Sequence, residues 1–301
     1  MSRLRDLAGL PVDSVCNGVK SVYFFLFNDV KKQLLPVPEA AGFIFAAKLA
    51  INPCMQEPIG HPFEEIATID STNLHAMRQI HAGMATHGQV YFAHAQLAGR
   101  GQRGKQWWSA AGQNIAMSLV LDTTKLASSE RFRLSATMAM GVLDRLRHIA
   151  PGNWSTKWPN DIYHDDRKAG GILIENMMKD GRWWRAVVGI GINMNQHSFP
   201  GHLPNPVSLY MVSRQRYQCA AEARAICDAI EVRWRQLMQG GWEAILKDYN
   251  EYLFGKGQIC RIKKDSAVIP CLIRYVNDQG QLVAGENFEW AFDFGEVQCV
   301  M

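Results

Sequence analysis

A short stretch rich in glycine, cations and tryptophan separates two apolar runs in the first half of the chain. Residues 96–109 read Gln-Leu-Ala-Gly-Arg-Gly-Gln-Arg-Gly-Lys-Gln-Trp-Trp-Ser. Glycines allow backbone N–H groups to approach an anion closely, and the cations can donate charge-assisted hydrogen bonds to phosphate or carboxylate. The two tryptophans offer flat faces against which a base can stack. These residues predict a loop that closes over a phosphorylated ligand carrying a base.

The glycine spacing of this loop also satisfies the G-x-G-x-x-G pattern of dinucleotide-binding folds, with Asp122 at a suitable distance downstream. That pattern must open a helix whose N-terminus holds the pyrophosphate. Here the loop runs into residues 115–121, a mostly apolar run that is typical of a buried strand. The dinucleotide-binding fold is therefore disfavoured. A solvated basic surface loop remains the alternative if the stretch is judged on its composition alone.

Composition and charge exclude several classes of protein. Of 301 residues, 48% are hydrophobic and 20% charged, as in ordinary globular proteins. The net charge of +4 does not demand a nucleic acid partner and suits anionic small molecules or an acidic protein. No apolar run reaches membrane-spanning length, and no signal-peptide layout is convincing. The seven cysteines include no C-x-x-C pair, so we expect free buried thiols, no metal site and a reducing cytoplasm.

Hydrophobic periodicity divides the chain into three parts. Residues 1–61 contain no pair of amphipathic helices with a basic face, and we predict an N-terminal extension of unknown role. Residues 62–254 alternate between strand-like and helix-like patterns and form the predicted catalytic domain. In residues 255–301, five short strand-like runs separated by turns predict a small C-terminal β-barrel.

The predicted elements of the middle part are seven strands and four helices. The strands lie at 64–69, 89–96, 114–121, 153–158, 161–164, 168–175 and 184–193, with a hairpin turn at 179–181. The helices lie at 70–82, 129–149, 220–238 and 242–253.

Two further clusters combine cations, turn residues and glycines. The first reads Lys157-Trp158-Pro159-Asn160-Asp161 and is followed by Lys168-Ala169-Gly170-Gly171-Ile172-Leu173; the second reads Gly189-Ile190-Gly191-Ile192-Asn193. A lysine beside a fixed turn, or before paired glycines, can meet a ligand that approaches the backbone closely. Taken singly, the lysines could be surface residues and the glycines could serve only tight packing.

In order and spacing, these motifs together with Ser71-Thr72-Asn73 resemble those of the biotin protein ligases. The resemblance is close over residues 63–195, general over the C-terminal barrel and absent over residues 1–61. It implies an α+β fold in which a class II synthetase-like mixed β-sheet packs with helices and is followed by an SH3-like barrel. It also implies a monofunctional ligase without a DNA-binding domain.

The resemblance implies a two-step reaction with biotin, ATP and Mg²⁺. Biotin is activated to biotinyl-5′-AMP and is then transferred to one lysine of a biotin carboxyl carrier domain of a biotin-dependent carboxylase. Lys157 and Arg100 are the catalytic candidates. Carried over by position, the biotin-binding candidates are Ser71, Thr72, Asn73, Gln96, Arg100, Gly101, Gln102, Lys157 and Gly170, and the ATP or adenylate candidates are Arg103, Lys105, Trp107, Lys168 and Asn193.

Physical chemistry agrees with these roles, because the first step brings an anionic carboxylate to an anionic phosphate and cations must neutralise that charge. The loop departs from the family pattern at Gln102, a position that is often arginine. Two other functions stay open: a lipoate or octanoate ligase or transferase, and a biotin-sensing transcriptional repressor. We expect no nucleic acid partner and no membrane association, and a homodimer is possible.

Overall fold

The computed structural model describes residues 57–300, which form one compact unit. The predicted N-terminal extension, residues 1–61, therefore lies almost entirely outside the described residues. Its last positions belong to the unit that follows. Ile59 is buried at 1% exposure and its N–H donates to Glu231 Oε2 at 3.0 Å. The Gly60 N–H donates to the Gly88 carbonyl at 2.8 Å.

A seven-stranded mixed sheet forms the centre of the molecule. Its strands are β1 Phe63–Ile69, β2 Val90–Gln96, β3 Ile115–Asp122, β4 Trp154–Lys157, β5 Asp161–His164, β6 Arg167–Lys179 and β7 Arg182–Ile192. They lie side by side in the order β1-β2-β3-β7-β6-β5-β4. Only β1 and β2 pair in parallel, and every other neighbouring pair is antiparallel.

Five helices accompany this sheet. They are α1 Thr72–His81, α2 Arg131–Ile149, α3 Leu209–Ser213, α4 Cys219–Met238 and α5 Trp242–Glu251. Alternate residues along the strands serve two cores, as a period of two requires. Tyr91 and Val120 pack with Ala76 of α1, whereas Phe92 and Leu119 belong to the larger core that α2, α4 and α5 share. Helices therefore cover both faces of the sheet.

A glycine allows the two longest helices to approach closely. A Cβ at Gly141 of α2 would lie 2.7 Å from the Cα of Ile230 in α4, closer than real Cβ contacts occur. Close contact of this kind lets the larger core pack at the density usual for protein interiors. No helix within residues 57–300 combines the length and apolar content that a membrane crossing needs.

The C-terminal part is a curled antiparallel sheet of five strands. These are β8 Ile259–Lys264, β9 Ala267–Val276, β10 Leu282–Ala284, β11 Trp290–Phe292 and β12 Val297–Val300, in the order β11-β10-β9-β8-β12. The sheet is hydrogen-bonded to the rest of the unit. The Trp158 indole N–H donates to the Gly280 carbonyl at 2.9 Å, and Asn250 of α5 exchanges two hydrogen bonds with the backbone of Val276.

The predicted α+β class and the small C-terminal β-structure are confirmed. The predicted strands and long helices all occur, with ends displaced by one to a few residues, and the hairpin turn lies at Asp180-Gly181, where both residues have positive φ. The prediction missed α3, since five residues after a proline-rich loop carry too little periodicity. It also ended β6 four residues early, at Glu175 instead of Lys179. A strand can extend past its buried part while its partner continues to pair with it.

Candidate active site

The predicted site residues surround one cavity of about 820 Å³, although they are spread over more than a hundred positions in sequence. It lies among the N-terminal end of α1, the loop after β2, strands β3 to β7, and the C-terminal sheet. All but one of the predicted residues line it: Ser71, Thr72, Asn73, Gln96, Arg100, Gly101, Gln102, Arg103, Lys105, Trp107, Lys157, Lys168 and Asn193.

The exception is Gly170, which does not line the cavity. A Cβ at this position would lie 2.5 Å from Cδ1 of Ile192 and 2.8 Å from the Gly191 carbonyl oxygen. The glycine thus lets β6 pack tightly against β7. Its neighbour Gly171 reaches the cavity instead, where a Cβ would lie 3.4 Å from Nζ of Lys168. The geometry gives Gly170 a packing role and leaves the ligand-facing position to Gly171.

One wall of the cavity is a buried polar surface at the start of α1. Ser71 is the N-cap residue, yet its hydroxyl does not cap the helix. Gln96, at the end of β2, accepts through Oε1 from the Thr72 N–H at 2.8 Å and from the Thr72 hydroxyl at 3.1 Å. Those bonds occupy the carbonyl end of Gln96, a residue that lines the cavity. Buried polar groups of this kind must be hydrogen-bonded to be tolerated.

The position of this wall depends on the carboxyl group that precedes it. Asp70 accepts from the Ser71 N–H at 2.7 Å and pairs with Arg78 of α1 at 3.0 Å. The hydrogen bond from the Arg78 guanidinium lowers the pKa of Asp70 to about 2. Asp70 is therefore ionised at neutral pH and ties the chain entering α1 to the helix itself.

Two lysines bring positive charge to the cavity. Nζ of Lys157, at the end of β4, lies 3.4 Å from the Tyr163 hydroxyl and 5.5 Å from the ring centroid of Phe254. Nζ of Lys168 in β6 lies 2.6 Å from Oδ1 of Asp161 and 6.0 Å from the ring centroid of Trp107. Both ammonium groups are thus held against fixed partners near a cavity suited to an anion.

The turn between β4 and β5 is held from two sides. The Asn160 side-chain amide donates to the carbonyl of Ile172 on β6. The buried hydroxyl of Tyr249 in α5 donates to the Pro159 carbonyl at 3.1 Å. Because Lys157 and Asp161 flank this turn and pair directly across it, both side chains are held in a defined register. The sequence Lys-Trp-Pro-Asn-Asp thereby acts as one structural unit.

The glycines of β7 make room for two side chains of the site. A Cβ at Gly189 would overlap the Asn73 carboxamide, and a Cβ at Gly191 would overlap the Trp107 indole. The packing interpretation of these glycines is thus correct, and what they accommodate is the site itself. Nε1 of Trp107 is buried and makes no hydrogen bond within residues 57–300.

The glycine-rich loop forms a narrow hairpin over the cavity. The Trp107 N–H donates to the Gly99 carbonyl at 2.9 Å, and the Gly101 N–H donates to the Lys105 carbonyl at 2.7 Å. Arg103, at the tip, has a positive φ of 54°. Its guanidinium carbon lies 6.0 Å from the ring centroid of Phe294, which follows β11. The loop therefore contacts the C-terminal sheet on the far side of the cavity.

Sequence reasoning missed part of the lining. Asp161 stands within a recognised motif, and that motif could have indicated it as a site residue. Phe199 lies in a proline-rich loop and Phe294 follows β11, and the local sequence at neither position indicates a ligand site. The structure adds these residues to the cavity: Met117, Asp161, Gly171, Phe199, Leu203, Pro204, Asn205, Pro206, Phe294, Val297 and Gln298.

Asn193, one of the predicted residues, has a structural contact of its own. Its side-chain amide donates to the Val207 carbonyl at 3.0 Å, and this hydrogen bond anchors the end of the proline-rich loop.

Four cysteines with described side chains do not offer a reactive nucleophile to the cavity. None of Cys219, Cys227, Cys260 and Cys271 lines it, and burial raises the pKa of each thiol, to about 11 for Cys219 and about 12 for Cys227. A thiol with a raised pKa is a poor nucleophile at neutral pH. These four thiols are therefore not candidates for a nucleophile at this site.

Comparison with protein families shows what residues 65–193 are similar to. Residues 65–193 match the model of the biotin/lipoate A/B protein ligase family. The chain is 30% identical over 202 residues to a bifunctional ligase/repressor BirA of Bacillus spizizenii, covering 66% of this chain and 62% of that protein. It is 25% identical over 223 residues to a biotin--[acetyl-CoA-carboxylase] ligase of Mycobacterium tuberculosis, covering 72% and 80%. The chain thus spans about 62% of the length of the Bacillus relative.

Solved structures share the fold. The biotin protein ligase from Aquifex aeolicus in complex with biotin and ATP superposes with a TM-score of 0.69 at 21% identity, covering 79% of this chain and 98% of that one. At this identity the similarity concerns the architecture: the mixed sheet, its helices and the C-terminal curled sheet.

Proposed function

We propose that the chain is a biotin protein ligase, since residues 65–193 match the model of the biotin/lipoate A/B protein ligase family. It activates biotin with ATP to biotinyl-5′-AMP and transfers the biotinyl group to a lysine of a carrier domain. The observation that carries the proposal is the cavity itself, which is lined by a buried polar surface, two anchored lysines and a basic loop.

The polar wall favours biotin over lipoate. The biotin head is a ureido ring with two N–H donors and a carbonyl acceptor, and it needs fixed hydrogen bonds within an apolar pocket. Ser71, Thr72 and Gln96 present such groups, and the first two are almost fully buried. The dithiolane ring of lipoate has no comparable donors or acceptor. Thr72 and Gln96 already pair with each other, so lipoate would leave the buried Ser71 hydroxyl without a partner, which costs free energy.

The cations suit the first chemical step. A carboxylate oxygen of biotin attacks the α-phosphorus of ATP, the bond to the β-phosphate breaks, and pyrophosphate leaves. Lys157 and Arg100 lie where they can draw the two anions together and offset the developing charge. Lys168, Arg103 and Lys105 face the phosphates in this proposal.

In the second step, an uncharged lysine amine of the carrier attacks the acyl carbon of the adenylate. AMP leaves with the electron pair of the broken C–O bond, an amide forms, and the amine loses a proton. The donors of the site stabilise negative charge on the leaving AMP. The substrate is a biotin carrier domain, as the biotin--[acetyl-CoA-carboxylase] ligase relative indicates by its name.

The residues near the cavity do not form a metal cage. Within residues 57–300 no group of three His, Cys, Asp or Glu side chains could hold a metal ion, and the Asp161 carboxylate is engaged by Lys168. Mg²⁺ characteristically keeps several waters and binds substrate phosphates. In this proposal Mg²⁺ binds the phosphates of ATP.

The test is incubation with labelled biotin, ATP, Mg²⁺ and an apo carrier domain, with lipoate as competitor. We expect labelled carrier and no loss of label when lipoate is in excess. Absence of labelled carrier under saturating substrates would contradict the proposal, and displacement by lipoate would favour the lipoate ligase. A mobility-shift assay with operator DNA tests the repressor function that the Bacillus relative carries in its name; we expect no shift.

A further inference from the structure

Glu175 has no role in the activity described above, yet it contacts two residues of the site. It lies in β6 with a side chain 22% exposed, and it does not line the cavity. Its Oε1 accepts from Nη1 of Arg100 at 3.0 Å, and its Oε2 accepts from Nδ2 of Asn73 at 2.8 Å. One carboxylate therefore links the base of the glycine-rich loop to the first turn of α1.

From Asn73 the hydrogen bonds continue beneath the polar wall. The Ser118 hydroxyl lies 2.5 Å from Asn73 Oδ1 and 2.7 Å from the Thr72 hydroxyl, and its single proton serves one of them at a time. The Thr72 hydroxyl lies 3.1 Å from Gln96 Oε1, to which it can donate a hydrogen bond. Asn73, Ser118 and Thr72 are each at most 4% exposed. A chain of polar contacts thus runs from Arg100, whose side chain is 44% exposed, to the buried surface at Gln96.

The charge of Glu175 gives this network a direction. A carboxylate can only accept, so Asn73 must turn its amino group toward Glu175 and its carbonyl toward Ser118. Gln96 is oriented separately, because its Oε1 accepts from the Thr72 backbone N–H at 2.8 Å. The hydrogen bond from Asn73 to the carboxylate is charge-assisted and therefore stronger than a neutral one.

Arg100 keeps donors for a ligand in this arrangement. A guanidinium carries five N–H donors, and Glu175 engages Nη1. The carboxylate also offsets one of the three positive charges of the loop. This lowers repulsion among Arg100, Arg103 and Lys105 when no anion is bound.

We propose that Glu175 is a positioning residue that holds Arg100 at the cavity and orients the Asn73 side chain at the start of α1. The proposal rests on the proposed function and deepens it by naming one residue that positions both the glycine-rich loop and the start of α1. Glu175 acts through Arg100 and Asn73 and does not itself touch the substrate.

The experiment is a double-mutant cycle with E175Q, R100A and the combined variant. The release rate of biotinyl-5′-AMP and the KM values for biotin and ATP in pyrophosphate exchange are measured for each. We expect E175Q to release the adenylate about tenfold faster and to raise the KM for biotin, since a charged hydrogen bond is lost. The combined variant should release the adenylate less than about twofold faster than R100A alone, because the two residues act as a unit.

E222Q is the matched control. Glu222 of α4 pairs with Arg145 of α2 at 2.9 Å, with side chains 15% and 24% exposed, and neither residue lines the cavity. E222Q should leave adenylate release and both KM values at the wild-type level. E175D, which keeps the charge, should release the adenylate at a rate between those of wild type and E175Q.

Three results would overturn the inference: E175Q indistinguishable from E222Q, equal effects of E175Q in the presence and absence of Arg100, or E175D as impaired as E175Q. If E175Q does not fold, E175D alone is compared with E222Q, and wild-type release and KM values for E175D contradict the inference. A wild-type protein that makes no biotinyl-5′-AMP would instead refute the proposed function, so the two failures are distinguishable.

Discussion

Lys168 and Asp161 form an ion pair across neighbouring strands, with Nζ of the lysine 2.6 Å from Oδ1 of the aspartate. Gly171 makes room for it, since a Cβ there would lie 3.2 Å from Asp161 Oδ1 and 3.4 Å from Lys168 Nζ. Both side chains are 30% exposed, so solvent screens the pair and its contribution to stability is small. Its importance lies in where it holds the lysine.

We expect Lys168→Met to raise the KM for ATP by about tenfold or more, since a hydrogen bond to a charged group is typically worth about 1.5–3 kcal/mol. The KM for biotin should change little, because the lysine faces the phosphates in our proposal. Pyrophosphate exchange with each substrate varied in turn measures both values. Equal increases in the two KM values would show that Lys168 supports the cavity as a whole.

Lys157→Ala should abolish most adenylate formation while leaving the fold intact. By analogy with the removal of oxyanion donors, the loss of transition-state stabilisation is about 2–4 kcal/mol. Single-turnover formation of biotinyl-5′-AMP measures the rate, and thermal unfolding confirms the fold. A rate within about threefold of wild type would contradict a role at the reacting carboxylate and α-phosphate.

Among the loop cations, Arg100→Ala should impair adenylate retention most, followed by Arg103→Ala or Lys105→Ala, with Gln102→Ala least. The order follows from charge, since neutral hydrogen bonds net about 0.5–1.5 kcal/mol and charged ones about 1.5–3. Arg103 also contacts Phe294, so its replacement should loosen the loop from the C-terminal sheet. Release of labelled adenylate by gel filtration gives the ranking. If Gln102→Ala ranked first, the electrostatic basis of the order would be wrong.

Restoring arginine at position 102 should slow adenylate release. Gln102 lines the cavity but carries no charge, so it cannot clamp a phosphate electrostatically. Gln102→Arg is compared with Gln102→Lys and wild type in the same release assay. An unchanged release rate for Gln102→Arg would mean that this side chain points to solvent and takes no part in retention.

Removal of the N-terminal residues should preserve activity only when the cut lies before the packed segment. The first recognised motif begins at Ser71, so we expect a protein starting at Gln56 to form adenylate at the wild-type rate. A protein starting at Pro62 loses Ile59, which is 1% exposed, and should be destabilised by about 2–5 kcal/mol. Chemical denaturation and adenylate formation test both. Loss of activity in a folded protein starting at Gln56 would assign a catalytic role to residues 1–55.

The order of elements could be predicted from the sequence because each depends on local pattern. The alternation in β1 to β7 and the spacing in α2 and α4 are readable from neighbours a few positions apart. Recognition of the site depended on five motifs in order, and all but one of the residues it indicated line the cavity. Gly170 shows the limit, since nothing local distinguishes a glycine that packs on Ile192 from Gly171 beside the ligand.

Tertiary structure alone decided which distant residues complete the site. Glu175 stands two positions after a recognised motif, but its importance comes from its hydrogen bonds with Asn73 and Arg100, which are 102 and 75 positions away. Phe294 reaches the cavity only because the C-terminal sheet is hydrogen-bonded back to Trp158 and α5. Local sequence determines whether a segment can form a helix or a strand. Contacts between segments depend on the packing of the whole core, to which every segment contributes.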